Sequence, residues 1–228
     1  MTSTAILIPS RYNSSRFPGK SLTDLGGMTM IERVYKTCAK TGLDTYVLTD
    51  DMRIFNQFGE RMCWVDRQKE YANGTERCAG AVSDPNFIRY IGNYDQFINV
   101  QGDMPDVTVE MINRVATNIE MSGVATAWTE MDPELQSDPN SVKVVHNNVY
   151  SHWFGRGLTC GSRHLGIYGY SKKALTRYGN MPSDYEKHEG LEQLRWFSLN
   201  YKVSITRVDF DGIEINTPED AKKWNSLN

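Results

Sequence analysis

The chain has 228 residues, with 25 Lys and Arg against 28 Asp and Glu and a formal net charge of −3. That length can bury one large core, and a charge balance this even, with no basic stripe, excludes a general nucleic-acid binder. No apolar run approaches the ~20 residues of a membrane span, and MTSTAILIPSRYN lacks the basic start and apolar length of a signal peptide. Cys38, Cys63, Cys78 and Cys160 are scattered, without a C-x-x-C pair, and read as reduced, mostly buried thiols of a cytoplasmic protein.

Thr4 to Pro9 is a short, continuous apolar run that predicts a buried strand, and Ser10 to Gly27 a polar, basic loop. In MIERVYKTCAK, Met30, Val34 and Cys38 share one helical face, with Ile31 and Tyr35 beside them. DTYVLTD reads as the next strand, MRIFNQFGE as a short helix and CWV as a third strand. GTERCAGAV opens a helix, and QFINVQGD ends a fourth strand. VTVEMINRVATNIEMSG is an amphipathic helix ending near Gly123, and VATAWTE a further strand. Strands alternating with helices predict an α/β fold whose largely parallel sheet is covered on both faces.

Beyond about residue 130 the pattern changes. VKVVHNNVYSHW predicts two strands around an Asn147–Asn148 turn. HLGIYGY and KVSITRV read as strands, SKKALTRYG and GLEQLRWFSL as helices, and His188 in YEKHEG as exposed loop. Trp153, Trp196 and Tyr201 are expected in the core or a subunit interface. In NTPEDAKKWNSL, Thr217 is the expected N-cap, Pro218 the first helical residue and Asp220 the capping partner. The expectation is one domain over residues 1–228: an α/β part over 1–130, a strand-rich part over 131–205 that holds a substrate or a partner subunit, and a strand and helix over 206–228 returning to the core.

RFPGKS, Arg16 to Ser21, ends as a P-loop ends, but the P-loop reading fails. Ser14 stands where the first P-loop glycine belongs, Pro18 removes an amide from the anion nest, and Gly26–Gly27 oppose a continuous helix from Lys20. What remains is PSRYNSSRFPGK: Arg11, Arg16 and Lys20, with Ser14 and Ser15 between them, beyond the carboxyl end of the first strand, where open α/β sheets bind ligands. Three cations and two hydroxyls suit a triphosphate of about four negative charges, arginine gripping through paired N–H donors and lysine acting as a point charge. Asp103 ends a predicted strand in a Gly/Pro turn at the same crevice, and facing that basic loop it reads as a Mg²⁺ ligand.

IPSRYNSSRFPGKSL resembles the I-P-A-R-x-x-S-x-R-x-P-G-K-x-L signature of the 3-deoxy-manno-octulosonate (Kdo) cytidylyltransferases, or CMP-Kdo synthetases. NGTERCAGAV is similar to their S-G-T-E-R segment, INVQGDMPDV to N-V-Q-G-D-E-P, RHLGIYGY to R-H-x-G-I-Y-x-Y, LEQLRW to L-E-Q-L-R and INTPEDAKKW to V-D-T-P-E-D. Six blocks in the family's order cover the chain from residue 8 to about 224. The resemblance implies a Rossmann-like, GT-A-like nucleotidyltransferase with a mixed, mostly parallel sheet flanked by helices, usually a homodimer. It implies coupling of CTP to the acidic sugar Kdo, with Mg²⁺, to give CMP-Kdo and pyrophosphate, a step of lipopolysaccharide biosynthesis.

Carried over by motif, Arg11, Arg16, Lys20 and Asp103 are the catalytic set, the three cations on the triphosphate and Lys20 also on the leaving pyrophosphate. Pro9, Ser10 and Ser14 join them in the nucleotide-binding loop, Gly74 and Thr75 line the nucleotide pocket with Arg77 near by, and Gln101 and Gly102 lie beside the ribose and α-phosphate. Arg163, His164, Tyr168, Glu192 and Gln193 shape the sugar site, where Arg163 supplies a cation for the sugar carboxylate. The metal ligands are Asp103 and Asn216.

Three departures accompany the resemblance. The second acidic metal ligand of the family is Asn216 here, which offers a carbonyl oxygen without a charge, so either Mg²⁺ is held more weakly or Asp211 or Glu214 compensates. The acidic residue of Q-G-D-E-P is Met104, and the Y-F-S-R-x-P-I-P region is HWFGRGLTCG. The expected function is a Mg²⁺-dependent cytidylyltransferase for Kdo or a close analogue; the alternative is a catalytically impaired nucleotide- or sugar-binding protein on the same scaffold.

Overall fold

The structure, a computed structural model, describes residues 2–14, 16–179 and 181–228. Ser15, counted above with the phosphate loop, lies outside the described residues.

The apolar run of β1 (Thr4–Ser10) is buried on both faces, as a central strand requires. It pairs in parallel with β2 (Asp44–Thr49) on one side and with β4 (Gln96–Val100) on the other, and β3 (Cys63–Val65) continues the parallel run beyond β2. β5 (Val124–Thr129), β6 (Lys143–His146), β7 (Ser151–Gly155), β8 (Ser162–Ser171) and β9 (Ser204–Arg207) complete one nine-stranded sheet. Its main order is β3-β2-β1-β4-β8-β5-β9, and the β6–β7 hairpin branches from β8. β8 runs antiparallel to both β4 and β5, while β9 is parallel to β5, so the sheet is mixed and mostly parallel. β8 comes late in the chain yet sits mid-sheet, which puts residues 162–171 directly beside the strand that leads to Asp103.

Helices α1 (Met30–Ala39), α2 (Met52–Phe58), α3 (Gly74–Ser83), α4 (Ile88–Ile91), α5 (Val109–Ser122), α6 (Lys172–Tyr178), α7 (Asp184–Glu189), α8 (Arg195–Ser198) and α9 (Pro218–Leu227) surround the sheet. Ile6 and Ile8 of β1 pack with Ile31 and Val34 of α1 and Ile112 and Val115 of α5, whereas Ala5 and Leu7 face the cluster holding Cys78, Val82, Leu175 and Trp196. A third cluster, Leu25, Met30, Ile215, Ala221 and Trp224, seats α9 against the basic loop's far end. Side-chain N-caps begin most of these helices, among them Thr29, Asn73, Thr108, Ser171 and Ser183, each worth about 1 kcal/mol. Thr217 and Asp220 form the expected capping box. No helix of the described residues is long and apolar enough to cross a membrane.

Two segments differ from expectation. GLEQLRWFSL is a 3-10 turn, Glu192–Leu194, running into the four-residue α8. Glu192 is drawn to Thr75 and Gln101, and Arg195 to Glu76 and Glu186, so tertiary hydrogen bonds override the segment's helical propensity. YEKHEG is not loop: Ser183 caps α7, and His188, still exposed, donates from Nδ1 to the Asp184 carbonyl oxygen at 2.7 Å. Of the cysteines, Cys38, Cys63 and Cys78 are buried and Cys160 is exposed, all as free thiols.

Gly169 in β8 packs against α5 so closely that a Cβ there would lie 2.5 Å from Ile119 Cγ1. Gly169→Ala is expected to destabilise the fold by about 1–3 kcal/mol, read as a lower urea midpoint at unchanged slope. An unaltered midpoint would mean that the β8–α5 contact yields freely.

Candidate active site

A cavity of about 1100 Å³ opens over the carboxyl ends of β1 and β4. The basic loop forms one side. Gly19 adopts φ 73° and its amide donates to the Tyr12 carbonyl oxygen at 2.9 Å, closing the loop before the single 3-10 turn Lys20–Leu22. Ser10 Oγ donates to Ser21 Oγ at 2.7 Å, and the Tyr12 amide to Asp50 Oδ1 at 3.1 Å, so both ends of the loop are tied down. Arg11 and Arg16 are exposed on the cavity wall, Lys20 is half-buried, and Ser14 is buried at their base.

Lys20 Nζ lies 2.5 Å from Asp103 Oδ2 and 3.4 Å from the Ile215 carbonyl oxygen. Arg16 Nη2 donates to Asn216 Oδ1 at 3.0 Å. The Ile215 amide donates to the Asp103 carbonyl oxygen at 3.0 Å, so the turn after β4 and the segment before α9 are stitched together. Ile215 is fully buried beneath that segment, while Glu214 and Asn216 on either side of it line the cavity. Burial and the neighbouring Asp103 raise the Glu214 carboxyl above the usual range. Glu214 rather than the exposed Asp211 therefore stands closer to the electrostatics of Asp103. Asp103 and Asn216 offer hard oxygen donors, and among the described residues no cluster of three His, Cys, Asp or Glu side chains is assembled for a metal. That donor set fits Mg²⁺, which takes one or two carboxylates and completes its shell with substrate phosphates and water. Met104 is fully buried in the core, which accounts for an apolar residue at that position.

Pro9, Ser10, Gly74, Gln101 and Gly102 form the adjoining wall. Gly74 approaches so near that a Cβ would lie 3.1 Å from Pro9 Cγ and 3.2 Å from Gln101 Nε2. Thr75 does not line the cavity: it is fully buried, its hydroxyl 2.8 Å from Tyr170 Oη and its amide donating to Glu192 Oε2 at 3.0 Å. Packing of the α3 N-terminus against β4 and β8 turns that side chain inward. Arg77 borders the cavity with Nη2 on Asp50 Oδ2 at 3.0 Å and Nη1 buried without a partner, and it supports the basic loop through the Asp50–Tyr12 hydrogen bond.

The remaining expected residues, Arg163, His164, Tyr168, Glu192 and Gln193, line the other end. A register shift in the β5–β8 pairing between Thr126 and Ala127 distorts β8 here. Thr126 Oγ1 occupies the distortion, donating to the Ile167 carbonyl oxygen at 2.7 Å and meeting His164 Nε2 at 3.0 Å. Burial, then the nearby Arg156, drives His164 down to about 3. The ring is therefore neutral and too weak a base to take a hydroxyl proton efficiently; it acts through hydrogen bonds. Tyr168 Oη donates to Gln193 Oε1 at 3.3 Å. Glu192 accepts from Gln101 Nε2 at 2.9 Å as well as from Thr75, and burial raises its carboxyl. Arg163 borders Phe210 and the Gly212 carbonyl oxygen, leaving a cation on this wall.

Arg156 is a second cation here that the sequence reading passed over, its Nη1 donating to the Asn140 carbonyl oxygen at 2.6 Å. The signal was present, because HWFGRG keeps an arginine in the place of the one in Y-F-S-R.

The buried neutral His164 has a sign-definite consequence. Its folded value, about 3, lies below the unfolded 6.5, so its contribution is fully present above 6.5 and is lost as pH falls toward 3. His164→Gln is expected to flatten the acid limb of a stability–pH curve by roughly 1 kcal/mol per pH unit between about pH 6 and 4. Superimposable limbs in urea titrations of the two proteins would show that the imidazole charges in the folded state.

A family model for cytidylyltransferases matches residues 5–205. An 8-amino-3,8-dideoxy-manno-octulosonate cytidylyltransferase of Shewanella pealeana is 37% identical, covering 95% of both chains. The mitochondrial 3-deoxy-manno-octulosonate cytidylyltransferase of Arabidopsis thaliana is 35% identical, over 97% of this chain and 81% of that one. A solved CMP:2-keto-3-deoxy-manno-octonic acid synthetase complexed with CTP superposes with a TM-score of 0.85 at 28% identity, covering 99% of this chain and 98% of that one. These matches run along nearly the whole chain, which belongs to the cytidylyltransferase family.

Proposed function

We propose that this chain transfers the cytidylyl group of CTP to 3-deoxy-manno-octulosonate or its 8-amino analogue and releases pyrophosphate. The observation that carries the reading is the meeting of Lys20 and Asp103 at 2.5 Å, where the basic loop and the turn after β4 close on one cavity.

The sugar's anomeric hydroxyl oxygen attacks the α-phosphorus, the bond to the bridging oxygen breaks, and pyrophosphate departs with the electron pair. The hydroxyl proton is taken up by pyrophosphate or water, since His164 is too weak a base. Arg11, Arg16 and Lys20 hold the polyphosphate and stabilise the charge that grows on the leaving group. Asp103 and Asn216 would hold Mg²⁺, which would supply charge neutralisation at the phosphates when bound. Arg163 and Arg156 face the sugar carboxylate, and Gln193, Tyr168 and His164 hydrogen-bond its hydroxyls. The relatives' names divide between the sugar and its amino analogue. Glu214, on the wall between Asp103 and Arg163, is a group to which an ammonium and a hydroxyl present different charges.

The test is pyrophosphate release from CTP with each sugar in parallel and Mg²⁺ varied. Turnover with at least one sugar is expected, falling a hundredfold or more in Lys20→Ala and Asp103→Ala, roughly the loss on removing a transition-state charge partner. Tight CTP binding without turnover at any Mg²⁺ concentration would instead favour the catalytically impaired alternative.

A cytoplasmic homodimer is part of the same proposal. Trp153 lies 5.4 Å from Tyr185 and 6.0 Å from Phe197, and Tyr185 is 51% exposed, an aromatic patch suited to a second copy. Light scattering is expected to give twice the 26.0 kDa chain mass, reverting to the monomer in Tyr185→Asp. A monomeric parent protein would rule the dimer out.

A further inference from the structure

At the cavity wall, where Glu186 lines the cavity and Glu76 and Arg195 lie behind it, a buried ion triad joins the two ends. Arg195 is 1% exposed. Its Nη2 donates to Glu76 Oε1 and Glu186 Oε1, both at 2.7 Å, its Nε to Glu186 Oε2 at 2.6 Å, and its Nη1 to the Gly179 carbonyl oxygen at 3.0 Å. The partners belong to different walls. Glu76 is in the first turn of α3, two residues past Gly74, and its Oε2 accepts the Ala72 amide at 2.9 Å. Glu186 is in α7, and Arg195 follows the turn that carries Glu192 and Gln193.

Asn73 and Tyr178 close the ring. The Asn73 side chain caps α3 through the Glu76 amide at 2.8 Å, while its Nδ2 donates to Glu186 Oε1 at 2.9 Å. Tyr178 Oη donates to the Glu192 carbonyl oxygen at 3.0 Å and accepts from Asn73 Nδ2 at 3.3 Å. On the cavity side, the Glu192 carboxylate receives Thr75 N and Gln101 Nε2. The α3 turn and the Glu192 turn are thus bolted to each other twice, once at the wall and once behind it.

Two carboxylates around one guanidinium leave a net negative charge out of water. Buried triads of this kind are poor sources of stability, and apolar side chains of similar volume often serve a fold as well or better. What a guanidinium fork supplies that an apolar contact lacks is fixed geometry. The parts so fixed are Gly74, against which Gln101 packs, and Glu192, which holds the Gln101 amide.

We infer that Arg195 is a positioning residue that couples the nucleotide and sugar ends of the cavity, setting the α3 turn and the Glu192–Gln193 turn as one unit so that filling either end favours filling the other. The inference rests on the proposed function, in which both ligands share this cavity. Coupling of this kind is reciprocal: the sugar tightens CTP by the factor by which CTP tightens the sugar.

The experiment measures that factor by calorimetry, using Mg²⁺ and a CTP analogue whose α,β-bridging oxygen is replaced by methylene, so that no pyrophosphate leaves. In the parent protein, saturating sugar is expected to tighten the analogue about tenfold. In Arg195→Lys, which keeps the charge but loses the fork, the factor is expected to fall toward one, with affinity for the analogue alone changed less than about twofold. Glu186→Gln, closer in shape, is expected to act the same way and serves if the lysine variant does not fold. Gly169→Ala, destabilised elsewhere, is expected to keep the parent factor, which separates positioning from general loss of stability. A parent factor of one, an undiminished factor in both triad variants, or a lost factor in Gly169→Ala would each overturn the inference. Failure of the parent to bind either ligand would instead defeat the proposed function itself.

Discussion

β1 and β4 run parallel and adjacent, so both deliver their carboxyl ends to the same edge of the sheet. The site depends on that constraint. The loop leaving β1 carries Arg11, Arg16 and Lys20, the turn leaving β4 carries Asp103, and strand pairing leaves the two no choice but to face each other. Mutual attraction then fixes the detail, with Lys20 on Asp103 and Arg16 on Asn216. Cations gathered on one wall repel one another unless an anion lies between them, so the arrangement is poised for a polyphosphate.

β8 adds the second constraint. It enters between β4 and β5 and runs antiparallel to both, which brings Arg163, His164 and Tyr168 alongside Gln101 although some sixty residues separate them in the chain. Its shifted register, filled by the Thr126 hydroxyl, is a local irregularity that lies where the cavity needs a turned side chain. Most of this polar interior is paired, Arg77 Nη2 with Asp50, Arg195 with Glu76 and Glu186, and Glu192 with an amide and a side-chain amide, while Arg77 Nη1 is buried without a partner.

Much of this was legible from residue pattern. Every predicted strand forms, because short apolar runs between turn residues have few other ways to hide from water, and Thr217-Pro218 starts α9 for purely local reasons. The motif residues also converge: apart from Thr75, those described line one cavity. Local patterns misled where long-range partners dominate. LEQLRW has helical spacing, yet Glu192 and Arg195 are pulled to different partners in α3, and the chain makes two short turns instead. The triad was not legible, because nothing in the spacing of Glu76, Glu186 and Arg195 says that they meet, whereas Arg156 stood in a recognisable block.

The sequence by itself determined the elements, the chemistry of the basic loop and the blocks that mark the family, since these depend on residues near one another in the chain. Only the tertiary structure decided that β8 lies inside the sheet between β4 and β5, that Thr75 turns inward, that Arg77 serves Asp50 and that Arg195 ties two walls together. Those outcomes depend on which surfaces bury one another and which charges must find partners once water is excluded, and neither is defined until the chain has closed on itself.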